Sequence, residues 1–374
     1  MDSVTHLAAG VLTPLAFRKA PRIAAVLLFG IAAGQLPDLD ILAGSSAWAM
    51  LNFHRSMTHS IPALIIFAAL ITALLKFFLS HLRVREMTVR VESGQAIVNK
   101  PADWSFIEIF IVAFLGLSLH VYLDSMTTFG TQVLWPFSDY RIALPALFIV
   151  DFLFTVPLVL IMFYCLAGYR KPEKKEKQLK WARYALVWII LYPLCCLGIN
   201  TGLNYKINRD STEVGTAVEK VTLAPVLFSP FYWKAVAENT EEYRLDWLTL
   251  YNPLRKPEFL PPAYSKPDPQ MWAALTTNIP VFKYFDNFAS FVSVEKTAQT
   301  AEYTEYTFTD LRYLYSAFNF IMEKIDGNKG MFLMQIRVGT DNMVYAWRYL
   351  ENGNDQSPMW QAVRVPVSVA AVQE

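Results

Sequence analysis

The chain has 374 residues, of which 54% are hydrophobic and only 17% charged, with a net charge of +1 and a positive mean hydropathy. That composition is foreign to an ordinary soluble enzyme, and the balanced charge argues against a nucleic-acid surface built on excess lysine and arginine. The three cysteines, Cys165, Cys195 and Cys196, all lie in apolar runs and read as small packing residues, not as a disulfide framework.

In chain order, six apolar segments stand at roughly 5–17, 23–36, 61–80, 106–123, 144–168 and 184–202. The last four are about 18 to 25 residues long, which suits a bilayer crossing of about 20 residues. The first two are shorter and separated by RKAPR (18–22), as in a hairpin that is tilted or sheltered by its neighbours. A secretory signal peptide is the weaker reading, since Asp2 and His6 stand there and no basic stretch precedes the apolar run. Three basic clusters follow: Arg18, Lys19 and Arg22; Arg83, Arg85, Arg90 and Lys100; and the run RKPEKKEKQLKWAR (170–183). They fall on alternate sides of the apolar segments, so all three are cytoplasmic together in a six-span topology. Loops 37–60 and 124–143, both ends and everything after residue 203 then lie outside.

After residue 203 the chain changes character. KVTLAPVLF (220–228), FYWKAVAENTEEYRLDWLTLY (231–251) and TEYTFTDLRYLY (304–315) are rich in β-branched and aromatic residues and read as strands. MFLMQIRV (331–338) and MVYAWRYL (343–350) flank GTDN (339–342) as a hairpin. The proline-rich 254–270 reads as a loop, and 281–294 as an amphipathic helix running into a strand. The expected fold is therefore an all-α polytopic membrane domain of about six helices, two of them short (1–203). A smaller, strand-rich α+β extracytoplasmic domain (204–374) follows it.

The chemistry-bearing residues fall in the first half, which holds all five histidines. His120 and Asp124 in HVYLD are four apart, so a helix places both on one face, about 6 Å apart along the axis. Such a pair can grip one cation, or the carboxylate can orient the imidazole. LPDLD (36–40) offers Asp38 and Asp40; in extended chain they point the same way, and a divalent ion would relieve their repulsion. In HRSMTHS (54–60), His54 and His59 cannot converge on one straight helix, so a helix starting near Thr58 with His54 in the preceding loop is expected. Arg55 is then a cation beside the metal, able to hold a phosphate with two parallel hydrogen bonds. Asp151, inside the apolar run 146–158, is costly there and is a possible ligand or a support for one. Each fragment alone is also consistent with polar groups at a membrane interface. Together with His6 they fall on one side of the membrane in the six-span topology. His81 sits beside a basic loop and reads as a surface residue.

The stretch MDSVTHLAAG, LPDLD, HRSMTHS and HVYLDSMTTFGTQVLWPFSDYR (120–141) together resemble the bacterial membrane-bound metal-dependent hydrolase family, the YdjM-like group. The resemblance covers about the first 160 residues, with DLRY (310–313) as a supporting fragment. The family is regarded as distantly similar to zinc-dependent phospholipase C and P1-type nucleases. The resemblance therefore implies a metal-dependent hydrolase of the bacterial inner membrane, a phosphoesterase above all, acting on a lipid or lipid-linked substrate at the outer face. On that reading the metal ligands are drawn from His6, Asp38, Asp40, His54, His59, His120 and Asp124, with Asp38 and Arg55 in the reaction. Five histidines suit one or two ions, zinc first, manganese or magnesium next. The competing classes are a metal-ion transporter and a metal-stabilised membrane protein without turnover. The HExxH of intramembrane zinc proteases is absent, and five histidines are too few for the membrane di-iron desaturases.

Overall fold

A computed structural model describes residues 1–17, 23–43, 51–83, 88–92, 95–99, 104–169, 174–214, 218–228, 230–250, 262–314, 332–350 and 360–367. The chain divides into two compact units: Met1–Leu42, Arg55–Ala143 and Ile149–Cys195 form the first, and Ala43–His54, Leu144–Phe148 and Cys196–Glu374 the second.

The first unit is helical. Helix α1 (Ser3–Leu15) begins at Asp2, whose carboxylate accepts from the backbone N–H groups of Val4 and Thr5 and so satisfies two donors left over at a helix start. It packs along α2 (Ile23–Gln35), and the contact runs through glycines. A Cβ on Gly34 would stand 2.6 Å from the carbonyl oxygen of His6, and one on Gly10 would stand 2.5 Å from the carbonyl of Gly30. Only residues without a side chain allow backbones so close, as in the small-xxx-small seams of membrane helices. Helices α3 (Ile61–Arg83) and α4 (Phe106–Ser125) pack on each other, the latter opened by a reciprocal Ser105–Glu108 capping box. Their shared core, Leu64, Ala68, Ile71, Val112, Ala113 and Leu117, extends to Ala25, Phe29 and Ala33 of α2. Helix α5 (Phe152–Ala167) packs against α1, and α6 runs from Lys175 to Val214.

Among the described residues, three helices contain stretches long and apolar enough to cross a membrane: Ile61–Phe78, Phe106–Ser125 and Lys175–Arg209. The outward faces stay apolar too, with Ile65, Ile66 and Phe77 of α3 all exposed, which suits lipid and not water. The other three apolar helices are shorter, 13, 13 and 16 residues. One expectation changes here: the apolar run 144–168 is not one long helix, because residues before 152 are irregular and Asp151 caps α5 at its start. The basic stretch 170–183 is likewise not all loop, since α6 begins at Lys175. Between α3 and α4 lies a short hairpin, β1 (Thr88–Glu92) with β2 (Gln95–Asn99), in a stretch expected to be a plain loop.

Among its described residues the second unit holds two antiparallel sheets. One has the order β3 (Lys220–Pro225), β4 (Tyr232–Glu238), β5 (Glu242–Thr249), β6 (Ala263–Ser265). The other runs β11 (Gln361–Pro366), β10 (Met343–Leu350), β9 (Leu333–Gly339), β8 (Tyr303–Asp310), β7 (Val292–Gln299). The expected GTDN hairpin is β9–β10, with Asn342 at φ 59° in the turn. Two helices lie between the sheets in sequence, α7 (Pro269–Asn278) and α8 (Pro280–Phe288). Of the expected proline-rich loop 254–270, residues 254–261 lie outside the described residues; the rest holds β6 and the start of α7, where Asp268 followed by Pro269 is a cap and first-turn signal. Strand β3 is an edge, and α6 covers it with asparagines four apart. Asn208 bonds both the N–H and C=O of Val221 at 2.8 Å, while Asn204 and Asn200 take the N–H and C=O of Leu223 at 2.9 and 3.0 Å. Helix side chains here take the place of a neighbouring strand.

Candidate metal centre

Helix α4 sets the centre. Its last turns place His120 and Asp124 one above the other, both buried, with His120 Nε2 3.3 Å from Asp124 Oδ2. The chain before α3 makes a short 3-10 turn, Met57–His59, which delivers His59 to the same point. His59 Nε2 stands 3.1 Å from Asp124 Oδ2 and 3.3 Å from His120 Nε2. The 3-10 helix Pro37–Ala43 after α2 contributes Asp38, whose Oδ1 is 3.4 Å from His59 Nε2 and 3.6 Å from His120 Nε2. One ligand atom from each of Asp38, His59, His120 and Asp124 falls within 4.8 Å of all the others.

The outer partners fix which imidazole nitrogens face inward. His120 Nδ1 lies 3.1 Å from the carbonyl of Gly34, an acceptor only, so it carries the proton and leaves Nε2 a lone pair. His59 Nδ1 lies 3.0 Å from Thr58 Oγ1 and 3.4 Å from Asp40 Oδ2. Two imidazole nitrogens and two carboxylate oxygens therefore converge in a buried place, and Asp124 Oδ2 receives no hydrogen bond. Such a set is stable around a positive charge and repulsive without one. Burial disfavours a charged His59, yet the close carboxylates of Asp124, Asp38 and Asp40 outweigh it and push its pKa up to about 10. Burial would raise the pKa of Asp38, but the close imidazoles of His120 and His59 hold it well below the ordinary carboxylate range. Both shifts arise from the His–carboxylate contacts themselves; the donor set, two imidazole nitrogens and two carboxylate oxygens, is one that could hold a metal ion.

The remaining sequence candidates are placed differently. Asp40 does not share the inner face with Asp38: in a 3-10 helix residues two apart point in different directions, where extended chain would have aligned them. Its Oδ2 accepts from Arg55 N–H at 3.0 Å and Thr58 Oγ1 at 2.7 Å, so it anchors the His59 turn from outside. His6 lies behind the ligands, stacked on His120 with ring centroids 3.7 Å apart and Nε2 3.1 Å from Asp124 Oδ1. The Met1 amino group also contacts that oxygen. His54 groups with the second unit and is not among the four converging residues. Asp151 caps α5, accepting from Leu153 N–H at 3.0 Å and Phe154 N–H at 3.2 Å, and from the Tyr192 hydroxyl at 3.2 Å.

Arg55 is only 4% exposed. Its guanidinium is committed to Asp124 Oδ1 at 2.9 Å and Thr127 Oγ1 at 2.9 Å, and it lies over the ring of Phe129. A two-pronged grip on phosphate would need it to leave those partners. Its backbone is left-handed at φ 57°, strained for a non-glycine residue, and is held so by Asp40 on its N–H and by Gln132 N–H on its C=O at 2.8 Å. Thr58, Thr127 and the Gly34 carbonyl are supports that the sequence reading missed. Thr58, inside HRSMTHS, and Thr127, in the TTFGT that follows the HxxxD element, stood within quoted motifs; the Gly34 carbonyl had no signal.

Comparison with known proteins follows the same half of the chain. The family described as YdjM inner membrane protein matches residues 1–203. A Bacillus subtilis (strain 168) protein described as "Uncharacterized protein YfhP" is 28% identical over 177 residues, covering 45% of this chain and 47% of that protein. The match thus spans about half the length of that curated relative. No solved structure matches the chain. With more than half of its length matched, from α1 into α6, the chain belongs to the YdjM inner membrane protein family.

Proposed function

We propose that the protein is an integral-membrane, metal-dependent hydrolase, a phosphoesterase acting on a lipid or lipid-linked substrate, with Asp38, His59, His120 and Asp124 holding one divalent ion. The observation that carries this reading is the facing pair of imidazole nitrogens 3.3 Å apart, bracketed by carboxylates, with a buried Asp124 oxygen that has no hydrogen bond. A bound divalent ion supplies a water whose pKa is lowered towards neutrality and a Lewis acid for a phosphoryl oxygen. The chain's own residues orient that chemistry. Gly34 and Asp40 fix the imidazole tautomers, and Arg55 and His6 hold Asp124 by its other oxygen. Asp38 is the ligand least shielded from solvent, with 15% of its side chain exposed, and is the carboxylate best placed to take a proton from an incoming nucleophile.

The six-span topology belongs to the same proposal. It places the centre and the second unit on the outer side, because the three basic clusters fall together on the other. The competing classes are a metal-ion transporter and a protein whose metal is purely structural. A transporter places its coupling residues near the bilayer midplane on broken helices; here Asp38 and His59 lie on 3-10 segments beyond helix ends. The test uses the full chain in lipid nanodiscs, with elemental analysis beside a panel of water-soluble and lipid phosphoesters, with and without chelator. Chelator-sensitive hydrolysis supports the proposal. Tightly held metal with no turnover favours the structural class, and metal-driven uptake into liposomes favours transport.

A further inference from the structure

The segments that carry the metal ligands turn polar groups inward and large apolar side chains outward. On Pro37–Ala43, Asp38 faces the centre and Asp40 braces the His59 turn from outside, while Leu39, Ile41 and Leu42 are exposed, Leu42 by 80%. On the turn before α3, His59 is buried and Met57 is exposed. The loop after α4 presents Phe137, 87% exposed, and Tyr140, 68% exposed. This loop is tied to the start of a candidate membrane span: the N–H of Ile61, first residue of α3, donates to the carbonyl of Val133 at 3.0 Å, and Gln132 N–H donates to Arg55 C=O. The exposed face of α3 carries on directly from it with Ile61 and Ile65. The collar is thus continuous with a lipid-facing surface at the end of α3 and α4.

Six large apolar side chains open to water around one site would be an aggregation surface on a soluble protein. At the end of two spans they occupy the depth where aromatic and aliphatic anchors settle, at the boundary of headgroups and acyl chains. We propose that residues 39–42, Met57 and residues 134–140 form a collar seated in the lipid leaflet, so that the metal centre sits at headgroup depth with lipid, and not bulk water, around its rim. This stands on the membrane placement of α3 and α4 and is independent of the hydrolase reading.

The test places an environment-sensitive fluorophore at Phe137→Cys in a chain whose three native cysteines are replaced by alanine, reconstituted in phosphatidylcholine nanodiscs. A label at Thr240→Cys, an exposed turn of the second unit, serves as the aqueous reference. The Phe137 label should be quenched by nitroxide-bearing lipid, with an iodide quenching slope lower than that of the reference by at least about threefold. Iodide accessibility equal to the reference, with no lipid quenching, overturns the proposal. Shielding from both quenchers overturns it as well, since the collar would then be covered by protein. Leu42→Cys, on a different segment, should repeat the Phe137 result, and disagreement between the two sites also counts against a common collar.

Discussion

The glycine seam between α1 and α2 gives the sharpest prediction, because it links helix packing to the metal centre. A methyl group at Gly34 would lie 2.6 Å from the His6 carbonyl oxygen, 2.9 Å from its carbon and 3.0 Å from Leu7 Cα. All three are backbone atoms, so no rotamer change relieves the clash. Reaching ordinary contact requires the helices to part by about 0.8 Å, and overpacking of this kind costs roughly 1–3 kcal/mol. The same displacement reaches the site by two routes. The Gly34 carbonyl orients His120, and α1 carries His6 against Asp124. Metal sites tolerate about 0.2 Å in ligand position, and losing an outer partner typically weakens metal affinity by about 10- to 100-fold. Gly34→Ala should therefore lower both the melting temperature and metal affinity, although every ligand remains. The matched control is Gly198→Ala on α6, where a Cβ meets nothing within 4 Å; it should leave metal unchanged and gain up to about 1 kcal/mol in helix propensity. Titration of metal into apo protein, with thermal melts on the same samples, compares the two. Equal affinity and equal stability in both variants would refute the coupling.

Arg55→Ala should weaken metal binding by about 10- to 100-fold, since it removes the cation that holds Asp124; full metal occupancy with turnover lost would restore the phosphate-clamp role instead. Asn208→Ala should open the covered edge of β3 at a cost of roughly 1–2 kcal/mol, read as faster amide exchange at Val221; unchanged exchange there would mean that the asparagine row adds nothing. Lys234 is fully buried and donates to the carbonyls of Leu311, Arg312 and Leu314, and burial pushes its pKa from 10.5 down to about 7, with Asp310 pulling back. Its folded pKa is the lower one, so the unfolded chain binds more protons between about pH 7 and 10 and stability should rise across that window. Melting curves of the native chain should show the rise and those of Lys234→Met should lack it; parallel curves would count against a titrating Lys234.

Much of the centre was legible because its ligands sit in short motifs with local geometry. His120 and Asp124 needed only helical spacing, and they meet as that spacing requires. The misfit of His54 and His59 on one helix placed His54 before the helix, but the helix starts at Ile61, not near Thr58, and His59 sits on a separate 3-10 turn before it. The parts that were not legible depend on conformation or on distant contacts. Asp38 and Asp40 look alike in sequence, and only the 3-10 winding of Pro37–Ala43 separates ligand from support. Arg55 looked like a free cation because Thr127 and Phe129, seventy residues on, do not announce themselves as its partners. Gly34 was one of several glycines in an apolar helix, and its carbonyl gained a role only when α4 packed beside it. In the second unit, alternation and turn residues marked β9, β10 and the α8–β7 junction. The short strand β6 and the helix from Pro269 were hidden inside a stretch whose prolines suggested a loop.

The central claim is that the four converging residues hold a metal ion, and elemental analysis of the purified protein tests it most directly. The native chain should carry a divalent transition metal at close to one ion per molecule. His59→Ala, His120→Ala and Asp124→Ala should each lose most of it, because one ligand fewer forfeits most of the affinity of a four-ligand site. His81→Ala, at the far end of α3 from His59, should keep it. A native chain that holds no metal, even after incubation with zinc or manganese, would contradict the account, as would ligand variants that retain it in full.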